Sequence, residues 1–571
     1  MLGLDEHGSI AIFNFPIFAQ LSLIVIVIFP MQADVIIVGG GIAAITAALD
    51  LLSFGQKVLI IERGKAQNFG GMAQWSFGGM FFVNSPIQKR VGIKDSEDLA
   101  LSDWLSAAEF EPDEILPRQW AEAYVQHTTP TTFAWLQQQG VQFFPVVHWV
   151  ERGLFKPGNS VPRFHLVWGT GWELTRRLEH QLRQHPKAKD NLRIVLEHRV
   201  EEIIVQGGQI AGVAGKHEST NADFEHHAPV VVVAAGGVGG NLERVRNNWY
   251  KPFGTPPETL LNGLDPMIDG TMIDATEKIN GKITHLDRIW CYAAGIHHPQ
   301  PRHPHHGLSI VPPRSALWLN YKGERIGPEP LVTSFDTYHL VESVCRQDKK
   351  MSWQVMNYKI MRKEFAISGS EHNPAIRDKH FFQFVKDVVW GNQSLVDDII
   401  KHCPDVLTAN SLGELAEKMN HLQGNNDIDA ELMQREIRQY DAMIARGKKF
   451  HNDDQLRRIA QVRQYLGDRL RTCNFQRIED EKTKPYIAIR EFIMPRKTLG
   501  GIQTDLQSRV TQRNSNPNNP DIIPGLYAIG ESAGYGGGGM IGKKTLEGAF
   551  LGGCVFTGRI AAHSIAGKKL F

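Results

Sequence analysis

The sequence predicts an α/β fold in which a doubly wound, Rossmann-like domain is built from sequence-distant segments and carries an inserted α+β cap domain. Apolar runs that end in glycine are typical of strands in such a sheet. Three of them lie far apart: DVIIVGGG from Asp34, APVVVVAAGG from Ala228 and PGLYAIG from Pro524. The stretch between the second and third runs shows helical periodicity, for example over residues 412–422 and 431–450, and no dinucleotide signature. We therefore predict a nucleotide-binding domain from residues 31–289 and 485–571, with residues 290–484 as the cap domain.

The first element is a strand–turn–helix–strand unit over residues 34–62. Gly39 permits the tight turn, Gly41 lets the backbone approach a pyrophosphate, and Ala44 provides the third small position against the strand. The second strand, KVLIIE, ends in Glu62 about twenty residues beyond the glycines, where an acid binds a ribose hydroxyl. The unit as a whole predicts a dinucleotide site.

Composition excludes several classes of protein. The 571 residues carry 62 Lys+Arg against 61 Asp+Glu, and a net charge of +1 gives no basic field for nucleic acid. A hydrophobic content of 42% excludes wholesale disorder. The 5 cysteines include no CxxC pair, which excludes a disulfide framework and favours the cytoplasm.

An apolar run, IFAQLSLIVIVIFP, covers residues 17–30. It is shorter than the roughly 20 residues of a spanning helix, and the acids Asp5 and Glu6 precede it where a secretory signal needs positive charge. We expect residues 1–30 to be an extension outside the fold. Membrane association or export through residues 17–30 is the alternative.

Several motifs together resemble one family. The Gly39-x-Gly41-x-x-Ala44 turn, Glu62, the run GGMAQWSFGG from Gly70 and the late GLYAIGES resemble FAD-dependent flavoproteins of the succinate dehydrogenase/fumarate reductase superfamily. The resemblance is closest to the 3-ketosteroid dehydrogenase-like branch and covers residues 34–290 and 485–571 well. It implies FAD as the cofactor. Residues 74–76 read Gln-Trp-Ser and lack the histidine that carries the flavin in succinate dehydrogenases, which implies that FAD is not covalently bound.

The resemblance also implies where FAD lies. The glycine-rich run would follow the flavin, an acid would bind the ribityl chain, and residues 545–551 would open a helix whose N-terminal amides face the flavin's pyrimidine edge. The predicted cofactor-binding residues are Gly39, Gly41, Ala44, Glu62, Gly70, Gly71, Ser76, Gly78, Gly79, Ala235, Gly236, Asp269, Glu531, Ala549, Phe550 and Leu551.

The predicted catalytic residues are Tyr486, Gly500 and Gly501. Dehydrogenation next to a carbonyl needs an electrophile for the oxygen, a base for the acidified proton and a hydride acceptor. Gly500-Gly501 resembles the family's glycine pair beside flavin and substrate. Pro485-Tyr486-Ile487-Ala488 resembles its tyrosine-bearing segment, although Tyr486 lies one place early, and a merely packed tyrosine is the alternative. The implied function is oxidation of a CH–CH bond in an apolar ketone, with a quinone-like acceptor.

Two other functions stay open. Arg490 and Arg496 suit the carboxylates of a fumarate reductase-like enzyme acting on a dicarboxylate or enoate, but the His-Pro-Thr-Gly motif of those enzymes is not found. The chain could also be a non-catalytic flavin-binding subunit that docks through residues 17–30. We predict no metal site, because the histidines of 297–306 are interrupted by prolines and match no ligand spacing.

Overall fold

The computed structural model describes residues 33–571. The expectations for residues 1–30 fall outside that range. Within it, no helix is both long and apolar enough to cross a lipid bilayer.

The strands of the described chain are numbered in chain order. They are β1 (Val35–Val38), β2 (Val58–Ile61), β3 (Gly79–Phe81), β4 (Phe143–His148), β5 (Phe164–Val167), β6 (Leu192–Val195), β7 (His198–Gln206), β8 (Gln209–His217), β9 (Asp223–His227), β10 (Val230–Val233), β11 (Ile283–Thr284), β12 (Ile289–His297), β13 (Gly307–Val311), β14 (Leu317–Leu319), β15 (Met351–Asn357), β16 (Ala366–Ile367), β17 (Val406–Ala409), β18 (Tyr486–Thr498), β19 (Gly501–Ile502), β20 (Arg509–Thr511) and β21 (Ile522–Ala528).

The helices of eight residues or more are numbered in the same way. They are α1 (Ile42–Ser53), α2 (Glu97–Ala108), α3 (Ile115–Thr128), α4 (Thr170–Arg183), α5 (Thr271–Lys278), α6 (Thr337–Cys345), α7 (Phe381–Trp390), α8 (Gln393–His402), α9 (Leu412–Gln423), α10 (Ala430–Ala445), α11 (Asp454–Val462) and α12 (Ala549–Ile565).

A six-stranded sheet has the order β20-β21-β10-β1-β2-β6. The five strands from β21 to β6 are parallel, and β20 pairs antiparallel at one edge. β1, β2 and β10 are short and almost wholly apolar because the sheet is covered on both faces. The α/β prediction is confirmed, and the three glycine-ended runs lie on β1, β10 and β21 of this one sheet.

A second, antiparallel sheet has the order β14-β15-β18-β12-β13-β16, with β17 also paired to β18. The predicted helices at 412–422 and 431–450 correspond to α9 and α10, which begin after the capping residues Ser411 and Asp429. The predicted domain boundaries stay predictions. We predicted a return to the first domain at residue 485, but β18 continues the second sheet as far as Thr498.

The C-terminal helix α12 packs against α1, beside the first sheet. Gly558 allows the two backbones to approach, since a Cβ there would lie 2.7 Å from the carbonyl oxygen of Ala43. Arg559 donates to Asp50 on α1 at 2.8 Å. These contacts join the second half of α12 to α1.

Candidate active site

A groove runs along the carboxyl ends of β1, β2, β10 and β21, the edge where parallel α/β sheets bind ligands. At the end of β1, Gly39 has φ +105° and a Cβ would lie 2.4 Å from the Ala234 carbonyl oxygen, so only glycine fits. Gly41 precedes α1, and a Cβ there would meet no atom within 4 Å. No side chain caps the N–H groups of the first turn of α1, so these donors face the groove.

Acidic and basic side chains line the groove at the end of β2. The Glu62 carboxylate accepts the N–H groups of Gly40 and Gly64, each at 2.5 Å. Burial raises the pKa of Glu62. Arg63 pairs with Asp269 at 2.7 Å, and Asp269 also accepts the N–H of Thr271 at the start of α5. Glu62 is thus fixed in orientation by the backbone around it.

The opposite wall contains the glycine-rich run of residues 70–79 and the segment before α12. The Gly70 N–H donates to the Gly40 carbonyl at 2.8 Å, which joins the run to the turn after β1. At the far end, Gly548 has φ +105° and precedes the first residue of α12. The helix therefore begins at Ala549, inside the predicted segment 545–551.

Fourteen of the sixteen predicted cofactor residues line this groove. They are Gly39, Gly41, Glu62, Gly70, Gly71, Ser76, Gly78, Gly79, Ala235, Gly236, Asp269, Glu531, Phe550 and Leu551. The other two, Ala44 and Ala549, are fully buried behind it. Both are small residues in the first turn of a helix, where they bring that helix close to its neighbours.

A second cavity of about 240 Å³ opens onto the groove. The two share five lining residues, which are Phe77, Phe164, Tyr292, Ser368 and Glu547. Much of the remaining wall is apolar. It comes from the second sheet and α6, with Ala293, Ile310, Trp318 and Leu340, and from β5 and the segment after β4, with Leu166 and Val150. The shape and lining suit a bulky apolar molecule next to whatever fills the groove.

Three polar side chains meet where the cavity and the groove join. The Tyr292 hydroxyl donates to Glu547 Oε1 at 2.6 Å and accepts from Lys497 Nζ at 2.9 Å. Trp290 Nε1 also donates to Glu547 Oε1, at 3.0 Å. Burial raises the pKa of Tyr292 well above its usual value and lowers that of Lys497 to about 8. We call Tyr292, Glu547 and Lys497 the junction cluster.

Two further carboxyl groups have raised pKa values. Glu151 lines the cavity, accepts the hydroxyl and the N–H of Thr337, and burial raises its pKa to about 8. Glu531 lines the groove, accepts the Thr498 N–H at 2.8 Å, and burial raises its pKa to about 7. At neutral pH Glu151 is therefore mostly a neutral carboxylic acid with an O–H to donate.

The predicted catalytic residues lie elsewhere. Tyr486 is buried at the first position of β18, paired with Asn357 and Ala409, and lines neither the groove nor the cavity. Eleven strand positions separate it from Lys497, roughly 35 Å at about 3.3 Å per residue. Tyr486 thus lies at the far end of β18 from Lys497, outside the groove and the cavity, which does not support its predicted role beside a substrate carbonyl.

Gly500 and Gly501 are packing positions beside the groove. A Cβ at Gly500 would lie 2.3 Å from the carbonyl oxygens of Thr284 and His285, and one at Gly501 would lie 2.4 Å from that of Ser532. Neither glycine lines the groove or the cavity. They let the chain after β18 pass close to the loop that carries Glu531.

Of the two arginines considered for carboxylate binding, only Arg496 lines the groove. Arg490 is paired with Asp405 at 3.0 Å and donates to the Leu422 carbonyl, so it ties β18 to the segments that carry those two residues. The two side chains do not converge on one site.

Within the described chain, His298, Glu371 and His372 bring three metal-type ligand atoms within 4.8 Å of one another. The Gln300 N–H donates to His298 Nδ1 at 2.9 Å. That bond requires an unprotonated Nδ1, so the neutral ring carries its proton on Nε2, the nitrogen that faces Glu371. A metal bound at Nε2 would displace the proton there and break the hydrogen bond to Glu371. We therefore assign no metal to these three residues.

Comparison with known proteins decides the family. A family model described as an FAD binding domain matches residues 34–551. The chain belongs to this FAD-binding family. It is 42% identical over 538 residues to a KsdD-like steroid dehydrogenase of Mycolicibacterium smegmatis, covering 91% of this chain and 96% of that protein. A KsdD-like steroid dehydrogenase of Mycobacterium tuberculosis is 40% identical over 555 residues, covering 94% and 96%.

Solved structures agree on the fold. The 3-ketosteroid Δ1-dehydrogenase of Sterolibacterium denitrificans, in complex with 1,4-androstadiene-3,17-dione, matches with a TM-score of 0.68 at 17% identity, covering 94% of this chain and all of that one. A flavocytochrome c3 fumarate reductase matches with a TM-score of 0.66 at 17% identity, covering 94% and 79%. The predicted superfamily is confirmed, and the chain is an FAD-dependent dehydrogenase of the KsdD-like family.

The groove fits FAD. The open space in front of Gly41, at the uncapped N-terminus of α1, is where a pyrophosphate would be held. The Glu62 oxygens would keep lone pairs for ribose hydroxyls, and the glycine-rich run would present backbone to the flavin ring. The N-terminus of α12, behind Gly548, supplies partial positive charge for a reduced flavin.

Sequence reasoning missed the junction cluster and Glu151. Glu547 was predicted only as part of the segment 545–551 that opens a helix. Lys497 directly follows Arg496, which was considered for binding a carboxylate substrate. Tyr292 lies on β12, in the part assigned to the cap. The available signal for Lys497 was its place near the end of β18, a mainly buried strand in which a lysine is unusual.

Proposed function

We propose that the protein is an FAD-dependent dehydrogenase that oxidises a CH–CH bond next to the carbonyl of a steroid or similarly bulky apolar ketone. One observation carries the proposal: a mainly apolar cavity opens onto the FAD groove at a cluster of buried, titratable side chains. The KsdD-like relatives are named as steroid dehydrogenases, which supports a steroid ketone as the substrate class.

In this proposal the junction cluster is the base. The Tyr292 hydroxyl already donates its proton to Glu547, so a lone pair on the same oxygen is available to accept the proton from the carbon next to the carbonyl. As that proton arrives at Oη, the original hydroxyl proton moves to Glu547 Oε1. Lys497 holds Oη in position through its own hydrogen bond.

Glu151 is the electrophile. Its raised pKa keeps the carboxyl protonated at neutral pH, and its O–H donates to the substrate carbonyl oxygen. Thr337 fixes the carboxyl through two hydrogen bonds. Burial in an apolar cavity strengthens this donor because no water competes with it.

FAD, when bound, supplies the two-electron acceptor that takes the hydride from the carbon adjacent to the deprotonated one. We propose that it is held non-covalently, since residues 70–79 contain no histidine. We also retain a quinone-like compound as the final electron acceptor. A dicarboxylate reductase is less well supported, because Arg490 forms an ion pair with Asp405 and does not line the groove or the cavity.

The test replaces Tyr292 and uses Tyr486 as a matched buried tyrosine outside the cavity. With Tyr292→Phe, we expect reduction of bound FAD by a 3-ketosteroid to slow by about 100-fold or more, with FAD content unchanged. With Tyr486→Phe, we expect the rate to stay within about twofold. Anaerobic stopped-flow absorbance measures both. Equal rates for wild type and Tyr292→Phe would refute the assigned base.

A further inference from the structure

A positively charged side chain without a protein partner lines the substrate cavity. Arg471 follows the short helix Leu466–Leu470 and borders the cavity next to Gly467 and Asp468. Its guanidinium makes no hydrogen bond or ion pair with any described residue, and burial lowers its pKa. Arg471 also lines a neighbouring, more polar cavity of about 480 Å³, and an unpaired guanidinium between the two cavities needs a ligand or bound water to satisfy its five N–H donors.

The acids near Arg471 are already neutralised. Asp468 accepts from Arg314 at 2.9 Å and also pairs with Arg152, so two arginines share this one carboxylate. Arg314 also donates to Thr472 and Ser334. The charge of Asp468 is therefore shared by two arginines, and neither of its oxygens bonds to Arg471.

The other titratable groups near Arg471 do not provide it with a partner either. Glu364 accepts the N–H and hydroxyl of Ser315 and the N–H of Cys473, which fixes its carboxylate. Burial lowers the pKa of His148 to about 4, so it is neutral. Arg314 and Arg471 line this part of the cavity with Asp468 and Glu364, and Arg152, which pairs with Asp468 but does not line the cavity, brings the arginines to three against two carboxylates.

We infer that the substrate carries a carboxylate, remote from the ketone, that binds Arg471. The inference rests on the proposed function and narrows its substrate class to an apolar ketone with an acidic side chain. The ketone lies at the junction cluster, where the cavity meets the FAD groove. Arg471, Asp468 and Arg314 line the cavity but not the groove, so the acidic group binds away from the reacting carbons. A guanidinium matches a carboxylate with two parallel hydrogen bonds.

The probes are a 3-oxo-4-ene steroid with a side-chain carboxylate and its methyl ester, which differ in that charge and by one methyl group. For each protein we compare the acid-to-ester ratio of kcat/KM, and the acid-to-ester ratio of Kd on the FAD-loaded protein. Wild type should prefer the acid. In Arg471→Gln the preference should fall by about 10- to 100-fold, the loss expected for a charge-assisted hydrogen bond. Arg346→Gln, an exposed arginine paired with Glu342, should keep the wild-type ratio.

Equal acid-to-ester ratios in wild type and Arg471→Gln would overturn the inference and leave Arg471 as a hydrated cavity residue. A wild-type preference for the ester would overturn it as well. FAD content, measured by absorbance, shows that each variant is folded. If neither probe reduces FAD in wild type, the proposed function fails, while the Kd ratio still decides whether Arg471 binds the carboxylate.

Discussion

Replacing Gly41 by valine separates binding of FAD from folding of the protein. Gly41 has φ −74° and ψ 179°, an extended conformation that any residue adopts. A Cβ there would meet no protein atom within 4 Å. The valine side chain would therefore project into the groove without disturbing the fold, and it would occupy the space in front of the first turn of α1.

The expected magnitude follows from the hydrogen bonds that the side chain would block. A charge-assisted hydrogen bond from a backbone N–H to a phosphate contributes about 1.5–3 kcal/mol. Losing two of them weakens FAD binding by about 100- to 10,000-fold. The apoprotein should lose less than about 0.5 kcal/mol of stability, as for surface substitutions that touch nothing.

The assay titrates FAD into apoprotein and follows quenching of flavin fluorescence, while thermal unfolding of the same apoprotein reports stability. Gly413→Val is the control, because Gly413 lies in α9 outside the groove and its Cβ would meet only Gln434 Nε2, at 3.9 Å. FAD affinity in Gly41→Val equal to that of the control would refute the placement of the pyrophosphate. A large drop in apoprotein stability would refute the reasoning about open space.

Three further predictions concern the cofactor, the chain start and the pH dependence. Acid precipitation should release FAD into the supernatant, and a yellow pellet would contradict non-covalent binding. A shortened chain that begins at Met31 should bind FAD with the stoichiometry of the full chain, since β1 begins only at Val35; loss of FAD binding would contradict this. The rate of FAD reduction should be level below about pH 8 and fall about tenfold per unit above it, because Glu151, with its pKa raised to about 8, must be protonated to donate. Glu151→Gln keeps a donor that cannot ionise, so the fall should vanish, and a fall that persists would assign the titration to Lys497, whose pKa is also about 8.

The FAD groove was predictable because its signals are local. Gly39, Gly41 and Glu62 lie in one strand–turn–helix–strand unit, where chain geometry alone brings the glycines to a helix N-terminus. Glu531 follows an apolar run that ends in glycine, and the carboxyl ends of parallel strands share one edge of a sheet. Each of these residues is marked by its immediate neighbours in the sequence.

The residues proposed for catalysis were not predictable in the same way. Tyr292 and Lys497 come together through the pairing of β12 with β18, and Glu547, in the segment before α12, joins them through the hydrogen bond from Tyr292. Tyr486 was assigned from a family resemblance and from its place shortly before Gly500-Gly501 in the sequence. Because residues 486–498 form one extended strand, this short separation in sequence corresponds to a long distance in space. The boundary predicted at residue 485 stays a prediction, but β18, which begins at Tyr486, pairs with strands of the second sheet, and such pairing between distant strands is not marked in the local sequence.

Anaerobic mixing of the FAD-loaded protein with a 3-oxo-4-ene steroid tests the central claim most directly. The account predicts that flavin absorbance bleaches in proportion to the steroid added, and that the product has lost two hydrogen atoms and gained a double bond next to the carbonyl. Flavin that stays oxidised with every ketone, while fumarate reoxidises chemically reduced flavin in the same protein, would contradict it.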